Sequence, residues 1–209
     1  MNVAVVGSGF LADAIREVSP HPVADPDKAN IVWVAHDTSV GANYDLDRVF
    51  RSYGQGLHVI TCPVPVGTWG RLRHQFPQTR FAICPENIRR KTAAEDFRSQ
   101  PFVIAGVEDE WSRGQVERLY EPFTDDILVM SPVSAELTKH AINGFLALSV
   151  GYIKRLSRVA GDLGANIDDV SRGLRSDPRI GHRAYLGPHG EPGDHLLRDV
   201  RVLRRLGCS

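Results

Sequence analysis

The sequence predicts an α/β fold, a Rossmann-like parallel sheet followed by a helical region built on one long helix. Three observations carry that expectation. Short apolar runs alternate with helical patterns through the first part of the chain, the earliest run leads straight into a glycine turn, and from Ser131 the chain continues without a breaker to Gly164. A chain of 209 residues suffices for one full domain and a helical extension. The expected division is residues 1–130 for the sheet domain and 131–209 for the helical domain, the latter serving dimerisation and substrate.

Asn2–Val6 is apolar and runs into Gly7-Ser-Gly9-Phe-Leu-Ala12, after which Leu11, Ala14, Ile15 and Val18 follow a helical period. Gly7 and Gly9 permit a tight turn and close backbone approach. Ala12 in the third place still allows close helix–strand packing, and a helix beginning with Phe10 and Leu11 points its N-terminus at a pyrophosphate. Dinucleotide binding is therefore expected. A second strand, His21–Asp25, would end in an acid at the place of a ribose-binding carboxylate. Asp25 in that role favours NAD over NADP; the alternative is a turn residue in Asp25-Pro-Asp27.

Ile31–Ala35, Leu57–Thr61 and Arg80–Ile83 read as buried strands, separated by helical stretches at Asp45–Ser52 and Trp69–Phe76. Phe102–Gly106 is another strand, followed by an amphipathic stretch over Glu108–Tyr120 and a strand at Asp126–Met130. Ser131 can then cap a helix and Pro132 suits its first turn. Leu137, Ala141, Phe145, Leu148, Tyr152, Leu156 and Val159 step by four and three, an apolar stripe on a helix of about 30 residues. Such a stripe calls for a large partner surface, and a second copy of the chain is the natural candidate.

Composition narrows the function classes. The net charge is zero, which argues against a nucleic-acid binder, and no run approaches the length of a membrane span. Residues 151–209 hold 11 Lys+Arg against 7 Asp+Glu, leaving 14 against 18 for residues 1–150. Either these are solvated helix faces, or Arg172, Arg175, Arg179 and Arg183 help hold an anionic small-molecule substrate. Cys62, Cys84 and Cys208 are widely spaced and suit reduced thiols in a cytoplasmic protein. The opening residues lack the basic region and apolar length of a signal peptide. His140, His182, His189 and His195 have no metal-type spacing, and Glu191 and Asp194 do not supply one, so no metal is expected.

Glu136, Lys139 and Asn143 fall at i, i+3 and i+7, on one helix face. A lysine beside a carboxamide can hydrogen-bond a substrate hydroxyl or stabilise a developing alkoxide. Hydroxyacid dehydrogenases of the 6-phosphogluconate type carry a similar pair. Several further segments occur in order: Ile60–Thr68, Ala82-Ile-Cys-Pro-Glu86-Asn-Ile88, Glu136–Asn143, Asp177-Pro-Arg-Ile-Gly181 and Gly187–Asp199. Together they resemble the nucleotide-sugar dehydrogenases, the UDP-glucose and GDP-mannose dehydrogenase family, over nearly the whole chain.

The resemblance implies NAD as cofactor, substrate contacts for Glu86 and Arg179, catalytic roles for Lys139 and Asn143, and a catalytic-water role for Asp199. Arg179 would reach substrate across a dimer interface. There are departures. Pro63 stands where the family's water-binding threonine is expected, Arg90 replaces a second glutamate, and His195 replaces the nucleophilic cysteine of the loop over Gly187–Asp199. The segment between Asp25 and Asn30 is short, and the family's C-terminal nucleotide-binding domain has no counterpart in these residues. The implied function is an NAD-dependent dehydrogenase acting on an alcohol of a sugar, nucleoside or nucleotide-derived substrate. It would stop after one hydride transfer, because an imidazole can be an acid or base but cannot follow the thioester route. A β-hydroxyacid or imine-type oxidoreductase using Lys139 and Asn143, and a non-catalytic dimeric pseudoenzyme, are the alternatives.

Overall fold

The computed structural model describes residues 1–36, 45–53, 56–182, 184–190 and 193–208; Arg183 and Glu191 lie outside them. Six strands form one sheet in sequence order. Strands β1 (Val3–Val6), β2 (Ile31–Val34), β3 (Leu57–Ile60) and β4 (Arg80–Ile83) are parallel, with Val3 beside Ile31, Ile31 beside Leu57 and Leu57 beside Arg80. β5 (Val103–Gly106) and β6 (Ile127–Met130) are parallel to each other. The sheet departs from a purely parallel expectation at one place, where β5 meets β4 antiparallel through the single pair Ile83 and Gly106.

Every residue of β2 and β3 is buried, so β2 is a continuous apolar run and β3 is interrupted only by the buried His58. Helix α1 (Phe10–Val18) buries Leu11, Ala12, Ala14 and Ile15. Each large aliphatic side chain taken fully out of water contributes about 1.5–3 kcal/mol. α2 (Leu46–Ser52) is capped by Asp45, whose Oδ1 accepts the Arg48 N–H at 3.0 Å. α3 (Thr68–Gln75), α4 (Ala93–Arg98) and α5 (Glu110–Tyr120) follow. Trp33, Phe97, Tyr120 and Phe123 pack as tilted and edge-on rings 5.1–6.4 Å apart. Inside that knot Trp33 Nε1 donates to Thr61 Oγ1 at 2.6 Å, and Thr61 Oγ1 lies 3.1 Å from the Tyr120 hydroxyl, so the buried polar atoms are paired.

The strand expected over His21–Asp25 does not form. Only Val23 bridges to Val3, held by Val3 N–H to Pro22 O and Ala24 N–H to Val3 O, both 3.0 Å. Pro22 lacks an N–H, and Pro26 opens a 3-10 turn over Pro26–Lys28, so no longer ladder can be built here. Val23 is left 94% exposed.

The chain divides into two compact units, Met1–Lys139 and His140–Ser209, with the boundary inside α6 (Pro132–Leu163), a helix of 32 residues. Ser131 Oγ accepts the Ser134 N–H at 3.2 Å, the capping bond its position predicts. The second unit adds α7 (Ile167–Ser176), capped by Asn166, and α8 (Asp194–Arg205). Its core joins Ile153, Ala184 and Leu186 with Leu156, Ile167 and Leu174, and Ser171 Oγ donates to Leu186 O at 2.6 Å. On α6, Val150, Ile153 and Ala160 face inward. Phe145, Leu148, Tyr152, Val159 and Leu163 remain exposed.

Candidate active site

In the first unit the glycine turn follows the carboxyl end of β1, a strand flanked by the Val23 bridge on one side and β2 on the other. All three run parallel, but the chain leaves β1 for Val23 on one side and then crosses to β2 on the other, and in an α/β sheet such a reversal of strand order opens a crevice at the carboxyl ends. Gly7 has φ +132°, and a Cβ there would overlap the Ala35 carbonyl, so the close approach it permits is to the neighbouring strand's end. Gly9, at φ 93°, caps α1 with no side-chain acceptor. The first-turn N–H groups of Phe10 and Leu11 are thus left to an outside anion, an arrangement that fits a dinucleotide pyrophosphate. Arg16 braces the turn from below, donating to Val5 O at 3.2 Å and Gly7 O at 2.8 Å. Asp25 is exposed and caps the 3-10 turn, its Oδ1 accepting Asp27 N–H at 3.2 Å. Arg90 places its guanidinium 5.1 Å from the centre of the Phe10 ring.

The same unit holds Glu86 and Lys139. Glu86 follows the end of β4, its N–H bonded to Thr61 O at 3.1 Å and one carboxylate oxygen accepting Ile88 N–H at 2.7 Å. Lys139, 6% exposed, donates to Glu86 O at 2.5 Å and Asn87 Oδ1 at 3.3 Å. Both acceptors are neutral, and an ammonium has three N–H bonds, so one remains to address a substrate oxygen. Glu136 has a different task. Its two oxygens accept Gly67 N–H at 2.7 Å and Trp69 N–H at 2.5 Å, capping α3 from a distant part of the chain. Cys62 and Cys84 are buried nearby in sequence order. Burial pushes the Cys62 thiol up to about 11 and the Cys84 thiol further, so neither is a ready nucleophile.

In the second unit Asn143 and Asp199 meet. Asp199 is fully buried, with Oδ2 accepting Asn143 Nδ2 at 2.5 Å and Oδ1 lying 3.1 Å from His140 Nδ1 and 2.9 Å from Arg198 Nε. Burial alone would raise its pKa, but the donors His140, Arg198 and Asn143, with the Arg198 charge, hold it well below the usual carboxylate range. His140 and Arg198 were not among the residues expected at a site. The signal was present for His140, three residues before Asn143 and hence on the same helix face. Arg198 carries no sequence signal beyond adjacency to Asp199.

His195 is exposed in the first turn of α8, one turn before Asp199. The segment read as a loop through Asp199 therefore becomes helical at Asp194, because Gly193 supplies an extended N-cap and the following residues carry an amphipathic period. Arg179 is an exposed loop residue, its guanidinium donating to Asp177 at 3.0 and 2.6 Å. Arg172 pairs with Asp169 at 2.8 Å on the surface of α7.

Comparison with known proteins agrees with this architecture. The model of the UDP-glucose/GDP-mannose dehydrogenase family, central domain, matches residues 133–207. The chain is 34% identical over 201 residues to the UDP-glucose 6-dehydrogenase of Pseudomonas aeruginosa, covering 85% of this chain and 44% of that protein. It is 31% identical over 172 residues to the UDP-glucose 6-dehydrogenase of Rickettsia typhi, covering 78% and 40%. The chain thus spans less than half the length of these relatives. The structure of a UDP-glucose dehydrogenase from Pyrobaculum islandicum superposes with a TM-score of 0.78 at 20% identity, over 99% of this chain and 64% of that one, which establishes likeness of fold. Among the described residues no helix is long and apolar enough to cross a membrane.

Proposed function

Because the chain belongs to the UDP-glucose/GDP-mannose dehydrogenase family, we propose that it oxidises an alcohol of a sugar, nucleoside or nucleotide-derived substrate with NAD, by a single two-electron step. Homologues in the family are NAD-dependent. The glycine turn, the uncapped start of α1 and the exposed Asp25 carboxylate are the residues that would hold that cofactor.

The observation that carries the reading is Lys139, an ammonium almost out of water and anchored on two neutral oxygens. Such a group would stabilise an alkoxide as the substrate hydroxyl gives up its proton, and NAD, when bound, would supply the acceptor for the carbinol hydride. The products are an aldehyde or ketone, NADH and one proton. Glu86 would contact substrate. Asn143 and Asp199 would fix a water or hydroxyl, with Asp199 kept ionised by its donors. Arg179, exposed but paired with Asp177, would have to exchange that partner for an anionic group of the substrate.

The oxidation stops at the carbonyl stage because the position of the family's nucleophile carries no thiol. Position 195 is an imidazole, and the buried thiols Cys62 and Cys84 are held protonated. The exposed stripe on α6 supports a homodimer, and three free cysteines support a reducing, cytoplasmic setting. The test is turnover of a nucleotide-sugar panel with NAD, with an aldehyde trap present. About one NADH per substrate and a trapped carbonyl are expected. Two NADH with an acid product would overturn the two-electron reading, and no NADH from any member would favour a non-catalytic role.

A further inference from the structure

The glycine turn lies at the carboxyl ends of the strands. At their opposite, amino ends the first unit carries an open cleft of about 580 Å³, a size suited to a small-molecule ligand. Its lining comes from the residues just before β2 and β3, the first residue of β4, and one face of α5. We infer that this cleft is a second nucleotide site, separate from the glycine turn and independent of the dehydrogenase reading.

The first reason is charge. Lys28, Arg80 and Arg118 all line the cleft, and among its described lining residues there is no carboxylate. The acids of α5 are held elsewhere: Glu110 and Glu117 lie 3.7 and 2.7 Å from Arg113, on a different face of the helix. Three cations that share a cleft without a counter-charge repel one another, and an entering phosphate group relieves this while accepting their N–H bonds. Arg118 is preset for the task. Its Nε is tied to Gly114 O at 3.1 Å, which orders the side chain and leaves the terminal nitrogens available.

The second reason is the kind of anion the walls would take. Trp111, Gln115 and Arg118 fall at i, i+4 and i+7, so α5 presents an indole, an amide and a guanidinium in one row. Trp111 is 47% exposed although it is a large aromatic, and Arg80 sits 4.6 Å above its ring. An indole backed by a cation on one side is a stacking platform for an aromatic base. Asn30, Gln78 and Gln115 add amides able to donate to and accept from a base edge. A bare phosphate would use the cations alone. A nucleoside diphosphate uses the cations, the ring and the amides together.

The floor is built into the sequence. Gly56 adopts φ +84°, and a Cβ there would stand 2.7 Å from the carbonyl oxygens of both Ala29 and Asn30. Only glycine lets the chain enter β3 this close to the start of β2.

The experiment follows the indole N–H resonance of Trp111, assigned with Trp111→Leu, during titration with ADP, adenosine and inorganic pyrophosphate. This resonance reports the cleft and not ADP bound at the glycine turn. ADP should shift it saturably and more tightly than either fragment, and Arg80→Gln/Arg118→Gln should raise the midpoint by at least about tenfold. NAD affinity, measured in parallel, should change by less than about twofold in the double variant, because both arginines lie at the other end of the sheet. The inference is overturned by an unmoved Trp111 resonance, by an unchanged midpoint in the double variant, or by pyrophosphate matching ADP. Failure of NAD to bind the unmodified protein would instead sink the dehydrogenase reading and leave the ADP comparison standing.

Discussion

Asn143 and Asp199 stand 56 positions apart in sequence, yet the Asn143 amide donates to a fully buried Asp199 carboxylate at 2.5 Å. With His140 and Arg198 on the other oxygen, this ties α6 to α8 within the second unit. Removing the carboxylate leaves three donors facing an empty space. Asp199→Ala should cost about 3–5 kcal/mol of stability, the usual loss when one partner of a buried charged group is deleted. Asp199→Asn should cost less, since it keeps an acceptor. Urea denaturation of both variants checks the order.

Acid should weaken the fold in two stages. His58 is buried on β3 against Phe50, and burial lowers its pKa to about 4 despite nearby backbone acceptors at Tyr53 and Arg80. The folded state therefore resists protonation where the unfolded chain, with a pKa of about 6.5, accepts it. Stability is full above about pH 6.5 and declines toward pH 4, by up to about 3 kcal/mol. His58→Gln should flatten that slope. Asp199 acts lower: its depressed pKa stabilises the fold above the ordinary value of about 3.9, and that share is lost as the pH falls below it. Denaturation midpoints across pH would show whether the upper stage disappears with His58.

Cofactor choice should follow Asp25. An exposed carboxylate beside a ribose repels the extra phosphate of NADP, so NAD should bind more tightly. Asp25→Ala should narrow the difference, with some loss of order in the 3-10 turn it caps. Calorimetry showing NADP preferred by the unmodified protein would remove Asp25 from the ribose role.

Self-association should depend on α6. Phe145, Leu148, Tyr152 and Leu163 are 63, 67, 52 and 77% exposed, a contiguous apolar face larger than solvated helices usually carry. Light scattering at micromolar concentration should report a dimer. Leu148→Glu should give a folded monomer, because the side chain makes little contribution to its own chain's core.

Lys139 and His195 should separate in kinetics. Lys139→Ala removes an ammonium from a buried position and should lower kcat by about 100-fold or more. His195→Ala alters an exposed residue and should lower turnover less, with NAD affinity nearly unchanged. An unaltered rate for His195→Ala would make that residue a bystander.

The elements of this protein were largely legible from local pattern. Apolar runs and glycine turns specify β1 through β6, and the unbroken helical stretch from Pro132 specifies α6, because period and backbone chemistry are properties of neighbours in sequence. The start of the first helix at the glycine turn was legible for the same reason. What neighbours could not reveal was which partner each polar group would find. Glu136 has the spacing of a site residue but caps α3 from 67 and 69 residues away. Asp25 was equally readable as a ribose ligand or a turn cap, and Pro22 and Pro26 shortened its strand to one bridge. The four-residue cluster around Asp199 and the cation-lined cleft beside Trp111 join segments remote in sequence, and only packing of the elements decides such meetings. Local propensity acts over a few residues, whereas the pairing of buried charge is settled by the whole fold that removes it from water.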